Sequence, residues 1–333
     1  GLVSWPIAAW LFSSSGDRGY SFSKIIGWIV ISYFLFLFAT VKLLPLYLST
    51  VIAIFLIWTA VNVFVEWKWR PVRRSPIDVR QILLVEGAFF ALMGAWAFVR
   101  SHNPQISYEI EQFMDFGFMQ VIANSVYLPV ESIWFAGEPI NYYYFGHVVG
   151  YTALLASNIS LVPGFFVLVS WMFGLLSIAV YRLGADFSTL FFQKKLSARA
   201  SKYISAGAGF LSFFMVMLAG TWHSAWWLLQ STWNAIFQIP APAFWYPDTT
   251  RIIPGTITEM PIFSFLVADL HAHVWGLFNG VIVLALLYAL WKNALPLSVR
   301  NPYLWAIAFA LGIAYMTNAW DTATLGILSV LVI

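Results

Sequence analysis

Cysteine is absent from the chain. That excludes disulfides and thiolate metal sites, and it leaves the redox compartment open. Charge is scarce as well: 9% of the residues are Asp, Glu, Lys or Arg, and histidine occurs five times. A net charge of +3 provides no basic field of the kind nucleic acid requires, so no nucleic-acid partner is expected. Low-complexity sequence, a repeat of fixed period and inverted halves are all missing. The opening LVSWPIAAWLF lacks the basic start and small-residue cleavage site of a signal peptide. A first residue Gly1 and an apolar run cut at Ile333 read as a fragment of a longer chain.

What is abundant is apolar surface. Hydrophobic residues make up 61% of the 333, more than the interior of a water-soluble domain of this size can hide, so the expectation is an integral membrane protein. A spanning helix needs roughly 20 mostly apolar residues. Runs near 25–42, 46–65, 81–99, 163–182, 203–221, 274–291 and 303–317 qualify, with partial ones at 1–13 and 322–333. The fold class is therefore an all-α polytopic bundle with seven complete and two partial spanning helices in one transmembrane domain, 1–333. Lys68, Arg70, Arg73, Arg74 and Arg80 crowd one loop, Arg182, Lys194, Lys195, Arg199 and Lys202 a second, and Lys292 and Arg300 a third. These loops are expected on the cytoplasmic side. Two long outer loops follow, 100–162 and 222–273, and they hold most of the acids. The stretch YFGHVVGYTALLAS at 144–157 is too short to span, and its amphipathic pattern suits an interfacial or re-entrant helix on the outer surface.

Ionisable groups inside or beside spanning segments are costly and point to function. In FLVADLHAHVWG, 265–276, Asp269, His271 and His273 lie at the outer mouth of a span. Carboxylate and imidazole are ordinary ligands for a divalent metal such as Mg, Mn or Zn; the plainer alternative is a hydrogen-bonded histidine pair at a helix entrance. In SYEIEQFMDFGFMQ, 107–120, Glu111 and Asp115 are i,i+4 on a short outer helix and share a face. Like charges so placed raise one carboxyl's pKa and suit a general base or metal work, against the alternative of a solvated acidic face. GEPINYYYFGH, 137–147, sets Tyr142, Tyr143 and Tyr144 beside His147. Such tyrosines anchor a helix at the interface, or stack on a sugar ring. FWYPDTTRIIPGTITEMP, 244–261, carries Arg251, suited to a phosphate or to an ion pair with Asp248 or Glu259. MTNAWDTATLG, 316–326, places Asn318, Trp320 and Asp321 at the outer boundary, where Asp321 either caps a helix or joins the same cavity.

The segments EIEQFMD, GEPINYYYFGH, ITEMPIFSFLVADLHAHV and TNAWDTATL, in this order over about residues 80–330, resemble the YYY membrane protein family, whose function is unknown. Ala272 stands where that pattern has proline. The layout from Gln81 to Arg182 is similar to that of the GT-C superfamily of membrane glycosyltransferases. That resemblance implies a GT-C-like helical bundle that takes a sugar from a polyprenyl-phosphate donor at the outer face of a prokaryotic plasma membrane. Asp115 is then the first candidate for the base and Glu111 the second. Tyr142, Tyr143, Tyr144, His147, Arg251, Glu259, Asn318, Trp320 and Asp321 would bind substrate, and Asp269, His271 and His273 a metal. The expected partners are membrane lipid, the lipid-linked sugar and other membrane proteins. The alternatives are a non-catalytic GT-C-like subunit and a transporter of a lipid-linked substrate.

Overall fold

The structure, a computed structural model, describes residues 1–74, 78–106, 111–192, 197–220, 222–249, 253, 256 and 260–333. Its helices are α1 (Trp5–Leu11), α2 (Tyr20–Thr40), α3 (Leu48–Trp69), α4 (Pro71–Arg74), α5 (Val79–Ser101), α6 (Gln112–Asn124) and α7 (Phe145–Ser157) in the first half. There follow α8 (Leu161–Phe192), α9 (Ala198–Phe213), α10 (His223–Ile236), α11 (Pro261–Val267), α12 (Ala272–Asn293), α13 (Pro302–Thr317) and α14 (Ala319–Val332). Among the described residues no strand forms, and Glu131 and Pro139 make one isolated bridge. The chain is an all-α polytopic membrane protein.

Among the described residues six helices are long and apolar enough to cross a membrane: α2, α3, α5, α8, α12, and α9 with its π-helical continuation to Leu218. The seventh expected span is a helix, α13, but of 16 residues; it rises about 24 Å, less than the roughly 30 Å of a hydrocarbon core. The partial spans are the shorter apolar helices Leu2–Leu11 and α14. α8 and α12 form the centre, with 78% of α12's apolar window buried against 11% for α5 and α9. The peripheral helices present Leu83, Leu84, Phe90, Phe210 and Leu211 outward, as a lipid solvent permits.

One span boundary is corrected and one alternative is narrowed. The span placed at 163–182 continues to Phe192, because Arg182 and Asp186 neutralise one another at 2.6 Å on adjacent turns and Asp186 also accepts from the Ser15 hydroxyl at 2.6 Å and the Gly16 amide at 3.0 Å. The basic loop is correspondingly shorter. Of the two placements expected for 144–157, interfacial or re-entrant, the burial of α7 fits the inserted one: nine of its residues, Phe145 to Gly150 and Thr152 to Leu154, are buried. Its Gly146 and Gly150 make a flat groove that receives the Trp275 side chain of α12. A methyl group at Gly146 would stand 2.3 Å from Trp275 Cγ, and one at Gly150 3.0 Å from the far edge of the same ring. Counting apolar positions could not reveal this, since an inserted helix buries both faces.

The last turns of α8 and α12 lie together, with Thr189 Oγ1 3.1 Å from the Tyr288 hydroxyl, and the start of α5 joins them through Gln81 and Gly16 beside Asp186, so the ends that lead into the basic connections fall at one end of the bundle. At the other end lie α6, the start of α7, α10, α11 and the turn into α12. Two contacts pin α11 there: the Trp96 indole donates to the Phe265 carbonyl at 3.1 Å, and the Arg100 guanidinium donates to the carbonyls of Leu266 and Asn103.

The seating of Trp275 generates a test. Gly146→Leu overpacks the α7–α12 contact and is expected to lower stability by about 1–3 kcal/mol or more, read by denaturant unfolding in detergent. Gly312→Leu, at a position open to the surroundings, is expected to change it little.

Candidate functional site

At the end of the bundle away from the basic loops, side chains from three separated segments meet. Glu111 is the N-cap of α6 and Asp115 lies in its first turn, so both face the same way, as their spacing predicts. Tyr142 precedes α7 and His147 lies in α7's first turn. Asp269 and His271 come from the turn between α11 and α12, where His271 is the N-cap of α12. That turn is aimed by Ala268, which ends α11 in the left-handed region at φ 57°, a conformation costing a non-glycine residue about 1–2 kcal/mol.

The centre is a buried acid–imidazole chain. His147 Nε2 lies 3.0 Å from Asp115 Oδ1, and both side chains are wholly buried. His271 Nδ1 approaches the same Asp115 oxygen at 3.4 Å and Glu111 Oε2 at 3.2 Å. Its other nitrogen is 2.8 Å from the Tyr142 hydroxyl. Tyr142 and Tyr143 lean on one another with centroids 4.3 Å apart, while Tyr144 turns away into the core against Phe36. The triplet therefore splits, two rings to the site and one to packing.

The two carboxyls are driven apart. Burial alone would raise Asp115, but its contacts with His147 and His271 hold it down at about 2. Asp269 is pushed up to about 8, by burial first and then by the neighbouring Asp115 carboxylate. Burial works to lower His271, yet Asp115, Glu111 and Asp269 together lift it above the usual imidazole value. Burial and Tyr143 push the Tyr142 phenol up. Several polar atoms here have no hydrogen-bond partner, namely Asp115 Oδ2, His147 Nδ1, Asp269 Oδ1 and Trp275 Nε1. Buried polar atoms are ordinarily paired, and a concentration of unpaired ones marks a place with another role.

The remaining expected residues are distributed as follows. His273 lies one turn into α12, bonded to the Ser264 hydroxyl at 3.0 Å and 4.0 Å from Asp269. The side chain that joins Asp269 and His271 is Glu111, with ligand atoms of all three within 4.8 Å of one another. Spacing along the chain carries no signal for that grouping, since Glu111 is far from the other two in sequence. Ser264, which orients His273, is likewise a partner the sequence did not single out. Asn318 and Asp321 lie against Gly276 on α12 rather than among the acids, with Asn318 as the N-cap of α14 and Asp321 in its first turn. Trp320 is 77% exposed and points away. Arg251 and Glu259 lie outside the described residues.

Beside the cluster a slot of about 480 Å³ runs between α8, α9, α12 and α14. His273 and Asp321 stand at its mouth, and Gly280, Leu284, Phe187 and Val180 are among its walls. From His273 to Leu284 α12 advances about 16 Å at 1.5 Å per residue, so the slot follows about half the length of this apolar helix. Nothing stands within 4 Å of a methyl group built on Gly280.

Breaking the central pair tests its part in the fold. His147→Ala strands the Asp115 charge and is expected to cost about 3–5 kcal/mol in an unfolding titration. The double variant Asp115→Leu, His147→Leu is expected to recover most of that loss.

No curated protein and no solved structure matches the chain. A family model described as "Uncharacterized membrane protein (DUF2298)" matches residues 30–333.

Proposed function

The chain belongs to the DUF2298 family of uncharacterized membrane proteins, and from the site itself we propose that it transfers a sugar from a polyprenyl-phosphate donor to an acceptor hydroxyl at the outer face of the membrane. The observation that carries this reading is the adjacency of a polar cluster and an apolar slot: His271 and His273 have ring centroids 5.6 Å apart, one in the acid cluster and the other at the mouth of the slot. A substrate with a hydrocarbon tail and a polar head fits both at once. The basic loops at the opposite end favour an outward-facing site, and the resemblance to GT-C enzymes points the same way.

Roles follow from access. Asp115, the first candidate for the base on sequence grounds, is sealed in the interior, so we assign it to holding His147 and His271. Glu111, 61% exposed at its side chain, is the carboxylate an acceptor can reach. The acceptor oxygen bonds to the anomeric carbon while that carbon's bond to the phosphate oxygen breaks. The leaving lipid phosphate keeps the electron pair, and the hydroxyl proton passes to Glu111. Tyr142 and Tyr143 offer ring faces to the sugar. The N-termini of α6, α7 and α12 converge here with their partial positive charge, which favours the phosphate as its charge grows.

The assay is transfer from a polyprenyl-phosphate sugar in liposomes. Glu111→Gln is expected to lower kcat by about 100-fold or more, and Asp115→Asn and His271→Ala are expected to lower it as well; undiminished transfer in all three ends the assignment. A second arm tests the slot. Gly280→Leu, which fills it, is expected to reduce kcat/KM for the long-chain donor about tenfold and to leave a short-chain, water-soluble donor unaffected.

A further inference from the structure

We propose that Glu111, Asp269 and His271 bind one divalent cation, with Asp115 closing the site on its buried side. A group of acids on a surface would need no ion, because water solvates it. Here Glu111 alone reaches the surface, 61% exposed at its side chain, whereas Asp269 is 6% exposed and Asp115 is fully buried. Each keeps one carboxylate oxygen without a hydrogen-bond partner, and the two carboxyl groups lie within hydrogen-bonding reach of one another. Two buried carboxylates brought together repel, so without an ion one of them must hold a proton. A cation between them takes the place of that proton and coordinates both oxygens.

The imidazole has the matching geometry. His271 Nδ1 faces Glu111 and Asp115 at 3.2 and 3.4 Å, so the neutral ring turns its lone pair toward a metal held by those carboxylates. Its Nε2–H then donates to the Tyr142 hydroxyl at 2.8 Å, the outer contact that fixes ring and tautomer of a metal-bound histidine. A donor set of carboxylate oxygens and one imidazole, with no thiolate, suits Mn²⁺ or Mg²⁺ over soft ions. His273, expected as the third ligand, is held by Ser264, and Glu111 takes that place. The inference rests on the transfer reading for its purpose, since three carboxylates would otherwise repel an incoming phosphate. Glu111 can serve the ion through one oxygen and the acceptor through the other.

The test needs no sugar transfer. The full chain in detergent, stripped with a chelator, is titrated with MnCl₂ while electron paramagnetic resonance follows the free ion. One bound Mn²⁺ per chain is expected. Asp269→Asn and His271→Ala should each weaken binding about tenfold or more, and Glu138→Gln, at an exposed position, should not. Pulsed resonance on the wild-type protein should show nitrogen coupling from one imidazole, which decides the matter even if a variant fails to fold. The proposal is overturned by the absence of a stoichiometric site, by wild-type affinity in both ligand variants, or by bound Mn²⁺ without nitrogen coupling. Failure here leaves the transfer assay able to succeed, and failed transfer leaves a bound ion standing.

Discussion

The arrangement depends on one contact, the indole of Trp275 laid across Gly146 and Gly150. Without side chains at those two positions α7 can come close enough to α12 for the ring to fill the space between backbones, and small residues at a helix interface are the ordinary means of close approach in lipid. The contact has two neighbours that matter. His147 follows Gly146 in sequence, and His271 precedes Trp275 by one helical turn. Seating the indole therefore fixes the separation of the two imidazoles that share Asp115. A larger residue at Gly146 would move α7 outward and take His147 from its partner.

Helix direction does part of the electrostatic work. α6, α7 and α12 all begin at this end, and Glu111, Tyr144 and His271 are their N-caps. Free amides and the positive ends of three helix dipoles favour carboxylates here, which is how three acids are tolerated so near the membrane. The same field is indifferent to which anion it meets, so it serves a phosphate as well. Asp115 and Asp269 answer it differently because only Asp115 has two imidazoles in contact.

Much of the architecture was legible in the chain, and the reason is physical. Apolar run length is set by bilayer thickness, so the long helices were placed within a few residues of α2, α3, α5 and α12. The pairing of Glu111 with Asp115 was legible from helical period. Two features were not. α7 looked amphipathic because its glycines were read as neutral, whereas Gly146 and Gly150 seat the Trp275 ring. The end of α8 looked like loop because Arg182 and Asp186 counted as charges, whereas their mutual contact and the Ser15 and Gly16 donors make them a buried structural tie. The grouping of Glu111 with Asp269 and His271 had no signature, since it exists only once α6 and the α11–α12 turn have been brought together. The split of the tyrosine triplet was hidden for the same reason.

A scaffold that merely kept an ancestral shape would have no reason to retain this cluster. An unpaired buried polar group costs about 1–3 kcal/mol, and Asp115, His147, Asp269 and Trp275 each present such an atom within one small volume; replacing them by apolar side chains of similar shape would relieve that cost. The charged residue deepest in a predicted span behaves differently. Glu86 is bonded to the Tyr20 hydroxyl at 2.6 Å and paired with Lys24, as a structural charge in lipid must be. One set of ionisable groups is thus neutralised within the protein. The other keeps unpaired buried atoms on Asp115, His147 and Asp269, and that difference is what the proposed chemistry at the acidic end draws on.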